Sequence, residues 1–87
     1  SAAALLTNDA KALLLDLDTA LANKAWDLNS LKAAMSGFLA ENNLKMSDVG
    51  PPLRAAITGM RQSPSIIDIM VALGRFETST RIKVACK

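Results

Sequence analysis

Residues 52–76 read PLRAAITGMRQSPSIIDIMVALGRF, and their apolar residues recur at helical spacings of three and four. Gly59 and Gly74 each follow one apolar run, and glycine is common in the left-handed turn that ends a helix. Each apolar run is preceded by a proline motif, which is Gly-Pro-Pro at 50–52 for the first run and Ser-Pro at 63–64 for the second. Proline fits the first turn of a helix and disfavours helical geometry in the residue before it. The pattern therefore predicts two short helices, each beginning at a proline and ending at a glycine.

The rest of the chain has the same helical period. A leucine-rich run predicts a first helix over about 8–23, and further apolar faces predict helices over about 30–41 and about 76–86. Trp26 lies in the first connection, where we expect it to cover the junction between the first and second helices. Gly37 lies inside the second helix, where it costs about 1 kcal/mol against alanine, and therefore suggests a close helix contact. The sequence predicts a small all-α bundle.

The composition argues against a self-contained enzyme. The 87 residues are 51% hydrophobic and allow one domain with a modest core. There is no histidine, no tyrosine and one cysteine, so His-assisted catalysis, His/Cys metal sites and disulfide frameworks lack their residues. Charged residues interrupt every apolar run that could span a membrane. We predict no catalytic residue, no metal ligand and no membrane partner, and we expect Cys86 to be a reduced, exposed thiol of a cytoplasmic protein.

The net charge of +2 is unevenly distributed along the chain. Residues 1–44 carry three basic and five acidic residues, whereas residues 45–87 carry seven basic and three acidic residues, including all four arginines. The planar guanidinium donates well to phosphates and base edges, so the second half is where an RNA partner would be sought. An ordinary solvated surface is the alternative interpretation of these charges.

Two other functions stay open at this point. Asn29-Ser30-Leu31 at a helix start resembles the attachment motif of acyl carrier proteins, which would place phosphopantetheine on Ser30. Those proteins have aspartate before that serine and are strongly acidic, unlike this chain. A small helical protein–protein interaction module would need only the apolar faces and would leave the arginines dispensable.

Three motifs follow one another in the second half of the chain: Pro-Leu-Arg with a small apolar run ending Thr-Gly at 52–59, Ser-Pro-Ser-Ile at 63–66 and Leu-Gly-Arg-Phe-Glu at 73–77. In this order they resemble the C-terminal end of bacterial glutamyl-tRNA synthetases. The chain departs from that family's pattern at Asp48, at Gly-Pro in 50–51 and at Phe76, which is inserted before the glutamate. The departures leave the central motif intact.

The resemblance implies that residues 1–87 form a single all-α anticodon-binding subdomain, an orthogonal bundle of about five short helices that is a fragment of a larger chain. Helices over about 8–43 would support a tRNA-contacting part over about 50–86. The parent chain would be a class I glutamate–tRNA ligase that uses ATP and Mg²⁺ in a separate catalytic domain, so that this fragment is not an enzyme and holds no cofactor. The implied partners are the tRNA(Glu) anticodon loop and the rest of the synthetase, in the cytoplasm, and not DNA.

The resemblance also implies which residues contact the tRNA. An arginine at the position of Arg54 reads the middle anticodon base, and Thr58 shares its helix face because it lies four residues later. The turn that contains Ser63, Pro64 and Ile66 is assigned to the third base. Four further basic residues are phosphate-contact candidates: Arg61, Arg75, Arg81 and Lys83.

The residues themselves are compatible with this role and with a simpler one. Arg54 is expected in the first turn of a helix whose apolar side is anchored in the core, so that its guanidinium projects from a rigid base. The simpler interpretation is a surface arginine that pairs with Asp48 or Asp68. For Ser63, the simpler interpretation is an ordinary helix N-cap.

Overall fold

The computed structural model describes residues 6–59 and 65–87. These residues form five α-helices and no strand: α1 (Asn8–Leu21), α2 (Leu28–Glu41), α3 (Met46–Thr58), α4 (Ile66–Leu73) and α5 (Arg75–Ala85). The predicted small all-α bundle of about five short helices is confirmed.

Side-chain caps determine where the first two helices begin. Thr7 Oγ1 accepts a hydrogen bond from the Ala10 N–H at 3.1 Å. The Asp27 carboxylate accepts from the backbone N–H of Ser30 at 2.8 Å and from its hydroxyl at 2.9 Å. The backbone bond first, and then the hydroxyl bond, hold the pKa of Asp27 below its ordinary value. Because Asp27 is the cap, α2 begins at Leu28, slightly earlier than predicted.

The core is built from one side of every helix. Among the described residues, eight apolar side chains from all five helices are at most 2% exposed: Leu14, Leu17, Leu31, Val49, Leu53, Ile66, Met70 and Ile82. Burial of these side chains is the main source of stability for a domain of this size.

Trp26 joins the connection between α1 and α2 to the junction between α4 and α5. Its Nε1 donates to the carbonyl of Met70 at 2.8 Å. The same carbonyl accepts from the Gly74 N–H at 3.0 Å and from Thr78 Oγ1 at 3.4 Å. Gly74 has a positive φ of 87°, which ends α4 and lets α5 begin at the next residue. Trp26 was expected over the junction of the first two helices, whereas its hydrogen bond is to the junction of α4 and α5.

Helix α3 differs most from its prediction, because Pro51 and Pro52 lie inside it. The predicted stop at Gly50 and start at Pro52 are wrong. The helix begins earlier, at Met46. The Asp48 carboxylate caps this start by accepting a hydrogen bond from the Lys45 N–H at 2.8 Å. The helix ends as predicted, in a left-handed glycine turn with a φ of 73°.

Two prolines are tolerated in α3 because the carbonyl groups that lose a hydrogen bond to them belong to exposed residues. Each proline ring fixes φ near the helical value, but it removes the hydrogen bond to the carbonyl four residues earlier. The carbonyls concerned belong to Ser47 and Asp48, and both residues are exposed. Water can therefore solvate these carbonyls, and the helix continues through the prolines.

The close helix contact predicted at Gly37 is wrong. Gly37 is exposed on α2, and a Cβ built on it would have no atom within 4 Å. It lines an open groove together with Ala33 and Ala34. No packing contact in the structure accounts for a glycine at this position.

We therefore expect Gly37→Ala to raise the free energy of unfolding by about 0.5–1 kcal/mol, since alanine has the higher helix propensity. The new methyl group would meet no neighbour. Urea denaturation of the 87-residue chain followed by circular dichroism measures the change. A lower free energy of unfolding in the variant would contradict an open face at Gly37.

Candidate nucleic-acid interface

Arg54 lies in the third turn of α3, not in its first turn as predicted, because the helix begins at Met46. Its neighbours Leu53 and Ile57 are 0% and 3% exposed. Both side chains belong to the hydrophobic core, so this part of α3 cannot shift without disturbing the packing of the domain. Arg54 itself is half-buried and projects from a rigid base, as expected.

The guanidinium of Arg54 makes no hydrogen bond and no ion pair with any residue that the structure describes. The ion pairs with Asp48 or Asp68 that the simpler interpretation requires are not found in this part of the chain. The Asp48 carboxylate instead caps the start of α3 by accepting from the Lys45 N–H. Within residues 6–59 and 65–87, nothing therefore occupies the guanidinium donors of Arg54.

Thr58 lies one turn after Arg54 on the same face of α3, as predicted. Its hydroxyl donates to the carbonyl of Arg54 at 2.7 Å. Gly59 follows and ends the helix, so that Arg54 and Thr58 occupy the last two turns of α3, close in sequence to the connection with α4.

The second predicted contact region is described only in part. Ser63 and Pro64, together with Arg61, lie outside the described residues. Helix α4 begins at Ile66 with Ser65 in the N-cap position, later than the predicted start at Pro64.

Ile66 takes part in the core and is 2% exposed, so its side chain anchors the start of α4. The first helical hydrogen bond runs from the Ile69 N–H to the carbonyl of Ser65. The N–H groups of residues 66–68 consequently have no acceptor inside the helix. Any contact of Ile66 with a ligand would use its backbone and not its side chain.

Arg81 connects α5 to the end of α3. Its Nε donates to the Glu77 carboxylate at 2.7 Å, and its Nη1 donates to the carbonyl of Ile57 at 2.8 Å. Arg81 and Ala56 line the same groove between α3 and α5. Since Ala56 and Arg54 lie on nearly opposite sides of α3, Arg81 does not extend the surface formed by Arg54 and Thr58.

Arg75 links α5 to the segment between α1 and α2. Its Nη2 donates to the carbonyl of Lys24, and its guanidinium carbon lies 5.5 Å from the centre of the Trp26 ring. The next residue, Phe76, is 83% exposed. Lys83 is also exposed on α5. Two of the four predicted phosphate contacts thus have clear roles in holding helices together.

Sequence reasoning missed the structural roles of Arg75 and Arg81. The carbonyls that they bind belong to residues 51 and 24 positions away along the chain, so no local spacing could have indicated these two contacts. Only the ion pair between Glu77 and Arg81 has the local spacing of four residues. Cys86 was expected to be exposed, but it is half-buried, and burial raises the pKa of its thiol, which lowers its reactivity.

No helix among the described residues has the length and hydropathy to cross a bilayer. No group of three or more His, Cys, Asp or Glu residues in the same ranges could hold a metal ion.

The anticodon binding domain family matches residues 1–86 of the chain. The chain belongs to this family. Its relatives include the glutamate–tRNA ligase of Bradyrhizobium sp. strain BTAi1, which is 47% identical over 83 residues, or 94% of this domain and 18% of the relative. The corresponding ligase of Afipia carboxidovorans is 42% identical over 83 residues, with the same two shares. That of Bradyrhizobium diazoefficiens is 42% identical over 87 residues, or 99% of this domain and 18% of the relative.

The anticodon binding domain thus spans less than a fifth of the length of these relatives, and the resemblance to glutamyl-tRNA synthetases is confirmed. No solved structure matches the domain.

Proposed function

We propose that this domain recognises the anticodon loop of tRNA(Glu) as part of a glutamate–tRNA ligase. The family match over residues 1–86 and the ligase relatives support the proposal. The geometric observation that carries it is Arg54, whose helix is anchored by buried neighbours while its guanidinium has no hydrogen-bond partner among the described residues. The domain would contribute to the selection of the tRNA and not to the chemical step.

Arg54 is the proposed reader of the middle anticodon base. A guanidinium offers parallel donors that can bond a uracil carbonyl and a neighbouring phosphate together. Because Leu53 and Ile57 fix α3 in the core, the backbone from which this donor set projects is well defined, which favours discrimination between bases. Thr58, on the same face, would flank the base.

The start of α4 is the proposed contact for the third anticodon base. Ser63 and Pro64 would approach the base, and the backbone N–H of Ile66 would donate to a base edge or a phosphate. Arg61 lies between the two proposed contact regions in sequence and would neutralise a phosphate. Free donors at a helix start suit a partner rich in carbonyl and phosphate oxygens.

Arg75, Arg81 and Lys83 would make weaker phosphate contacts. Arg75 and Arg81 already bind carbonyl groups of other elements, so only their remaining donors would be available to RNA. We expect their replacement to affect the stability of the domain as well as its affinity for tRNA.

The rest of the proposed ligase would supply ATP and Mg²⁺ binding and would join glutamate to the tRNA. A cytoplasmic enzyme of this kind would bind the anticodon loop through this domain and the acceptor end through its catalytic part. Neither DNA nor a membrane is a proposed partner.

The two alternative functions have less support. The hydroxyl of Ser30, the residue an acyl carrier would modify, donates to the Asp27 carboxylate in the cap of α2. A protein–protein interaction module would leave Arg54 dispensable, and no observation on the described surface specifies a protein partner.

Binding of the 87-residue chain to RNA tests the proposal. Fluorescence anisotropy would compare an anticodon stem-loop of tRNA(Glu) with a control stem-loop whose middle uracil is replaced by cytosine. We expect tighter binding to the first RNA, and a decrease in affinity for both RNAs as salt is raised, because phosphate contacts release counterions. Equal affinities for the two stem-loops would contradict base recognition by this domain.

A further inference from the structure

We infer that Gly50 is a positioning residue for Arg54: the missing side chain at residue 50 leaves room for the guanidinium to lie against α3, from which it meets the anticodon base. The inference rests on the proposed function of Arg54. It adds a residue that touches no RNA and still determines how well the middle base is distinguished.

The geometry at Gly50 leaves no room for a side chain while Arg54 keeps its position. A Cβ built on Gly50 would lie 2.6 Å from Nη1 of Arg54 and 3.8 Å from its Cζ. Real Cβ atoms essentially never approach another heavy atom within 3.0 Å, and because Nη1 is the far end of a flexible side chain, the guanidinium and not the backbone would move. Met46 Cε, 3.8 Å from the same point, flanks the site. Gly50 is itself buried, although it lies in the middle of a helix.

The direction of helical side chains explains why these two residues meet. Long side chains on an α-helix lean toward its N-terminus and cover the residue four positions earlier, and Gly50 is that residue for Arg54. With any other residue at position 50, a Cβ would occupy the place that Nη1 now holds. Arg54 would then have to adopt another rotamer.

A glycine at position 50 is also favoured by the proline that follows it, and the test must separate this effect from the contact with Arg54. It precedes Pro51, and the Cβ of a residue before proline clashes with the proline ring when that residue is helical. A substitution at Gly50 could therefore strain α3 directly. Comparing Gly50→Ala/Pro51→Ala with Pro51→Ala avoids this strain, because residue 51 is alanine in both variants.

The experiment measures aminoacylation kinetics of the complete synthetase that carries this domain, with tRNA(Glu) and with a tRNA whose middle anticodon base is cytosine. Gly50→Ala, alone and in the Pro51→Ala background, is compared with Arg54→Ala. Gly37→Ala is the matched control, since it is the same change inside a helix with no neighbour within 4 Å. We expect Gly50→Ala to raise KM for tRNA(Glu) about fivefold or more in both backgrounds, with kcat unchanged, and to lower the preference for uracil by a similar factor.

The comparison separates the inference from the proposed function. Loss of discrimination in Arg54→Ala and in both Gly50→Ala variants, with Gly37→Ala and Pro51→Ala like the parent, supports the inference. If Arg54→Ala loses discrimination and Gly50→Ala/Pro51→Ala keeps that of Pro51→Ala, the inference is wrong while Arg54 keeps its proposed role. If Arg54→Ala has no effect, the proposed role of Arg54 fails, and the inference with it. An equal loss in Gly37→Ala would also overturn the inference.

Discussion

Arg54→Ala is expected to lower kcat/KM for tRNA(Glu) by about 1–3 kcal/mol, or about 5- to 150-fold, in the complete synthetase. The guanidinium is the proposed donor to the middle anticodon base, and the hydroxyl of Thr58 on the same face of α3 already donates to the carbonyl of Arg54. The variant should therefore also lose its preference for uracil at that position. Steady-state aminoacylation kinetics with tRNAs that differ only at the middle anticodon base measure both effects.

Arg54→Lys is the matched control for this prediction. Lysine keeps the positive charge and its attraction to phosphates but lacks the planar set of donors. We expect it to restore part of the affinity for tRNA and little of the base preference. An Arg54→Ala enzyme that still prefers uracil as strongly as the parent would show that another residue reads this base.

Leu53→Ala is expected to reduce the free energy of unfolding by about 2–5 kcal/mol. Leu53 is completely buried in the core, and its truncation would remove buried apolar area and leave a cavity. A loss of this size is a large fraction of the total stability of a small domain. The variant should also weaken tRNA selection, because Leu53 anchors the turn of α3 that carries Arg54. Urea denaturation of the 87-residue chain measures the loss of stability.

Leu15→Ala on α1 makes the same chemical change where the side chain is 39% exposed. It buries less apolar area, so we expect a smaller loss of stability, below about 1 kcal/mol. Equal losses in the two variants would contradict the position assigned to Leu53. A smaller loss in Leu53→Ala than in Leu15→Ala would contradict it more strongly.

Local sequence rules predicted the helical class and several helix ends. Gly59 and Gly74 end helices with positive φ values, as the pattern indicated. The rule that a proline starts a helix failed at Pro51 and Pro52. The helix starts earlier because the Asp48 carboxylate caps it, and the carbonyls that lose their partners belong to exposed residues. Whether a helix can continue through a proline thus depends on the solvent exposure of these carbonyls, which local sequence patterns do not reveal.

The candidate site was predictable where it depends on neighbours in one helix. Arg54 and Thr58 share a face because they are four residues apart. The same spacing relates Arg54 to Gly50, where the chain departs from the family pattern. The roles of Arg75 and Arg81 depend on carbonyls that only the tertiary fold brings near, so they could not be predicted from the sequence.

We propose that the end of α3 and the start of α4 together bind the anticodon. Two-dimensional NMR of the ¹⁵N-labelled 87-residue chain, including the side-chain Nε–H of Arg54, tests it during titration with an anticodon stem-loop of tRNA(Glu). We expect the largest shifts at Arg54, Thr58 and Ile66, and we expect no shifts in the groove beside Gly37 on α2. Shifts concentrated in that groove, or no shifts at Arg54 and Ile66, would contradict it.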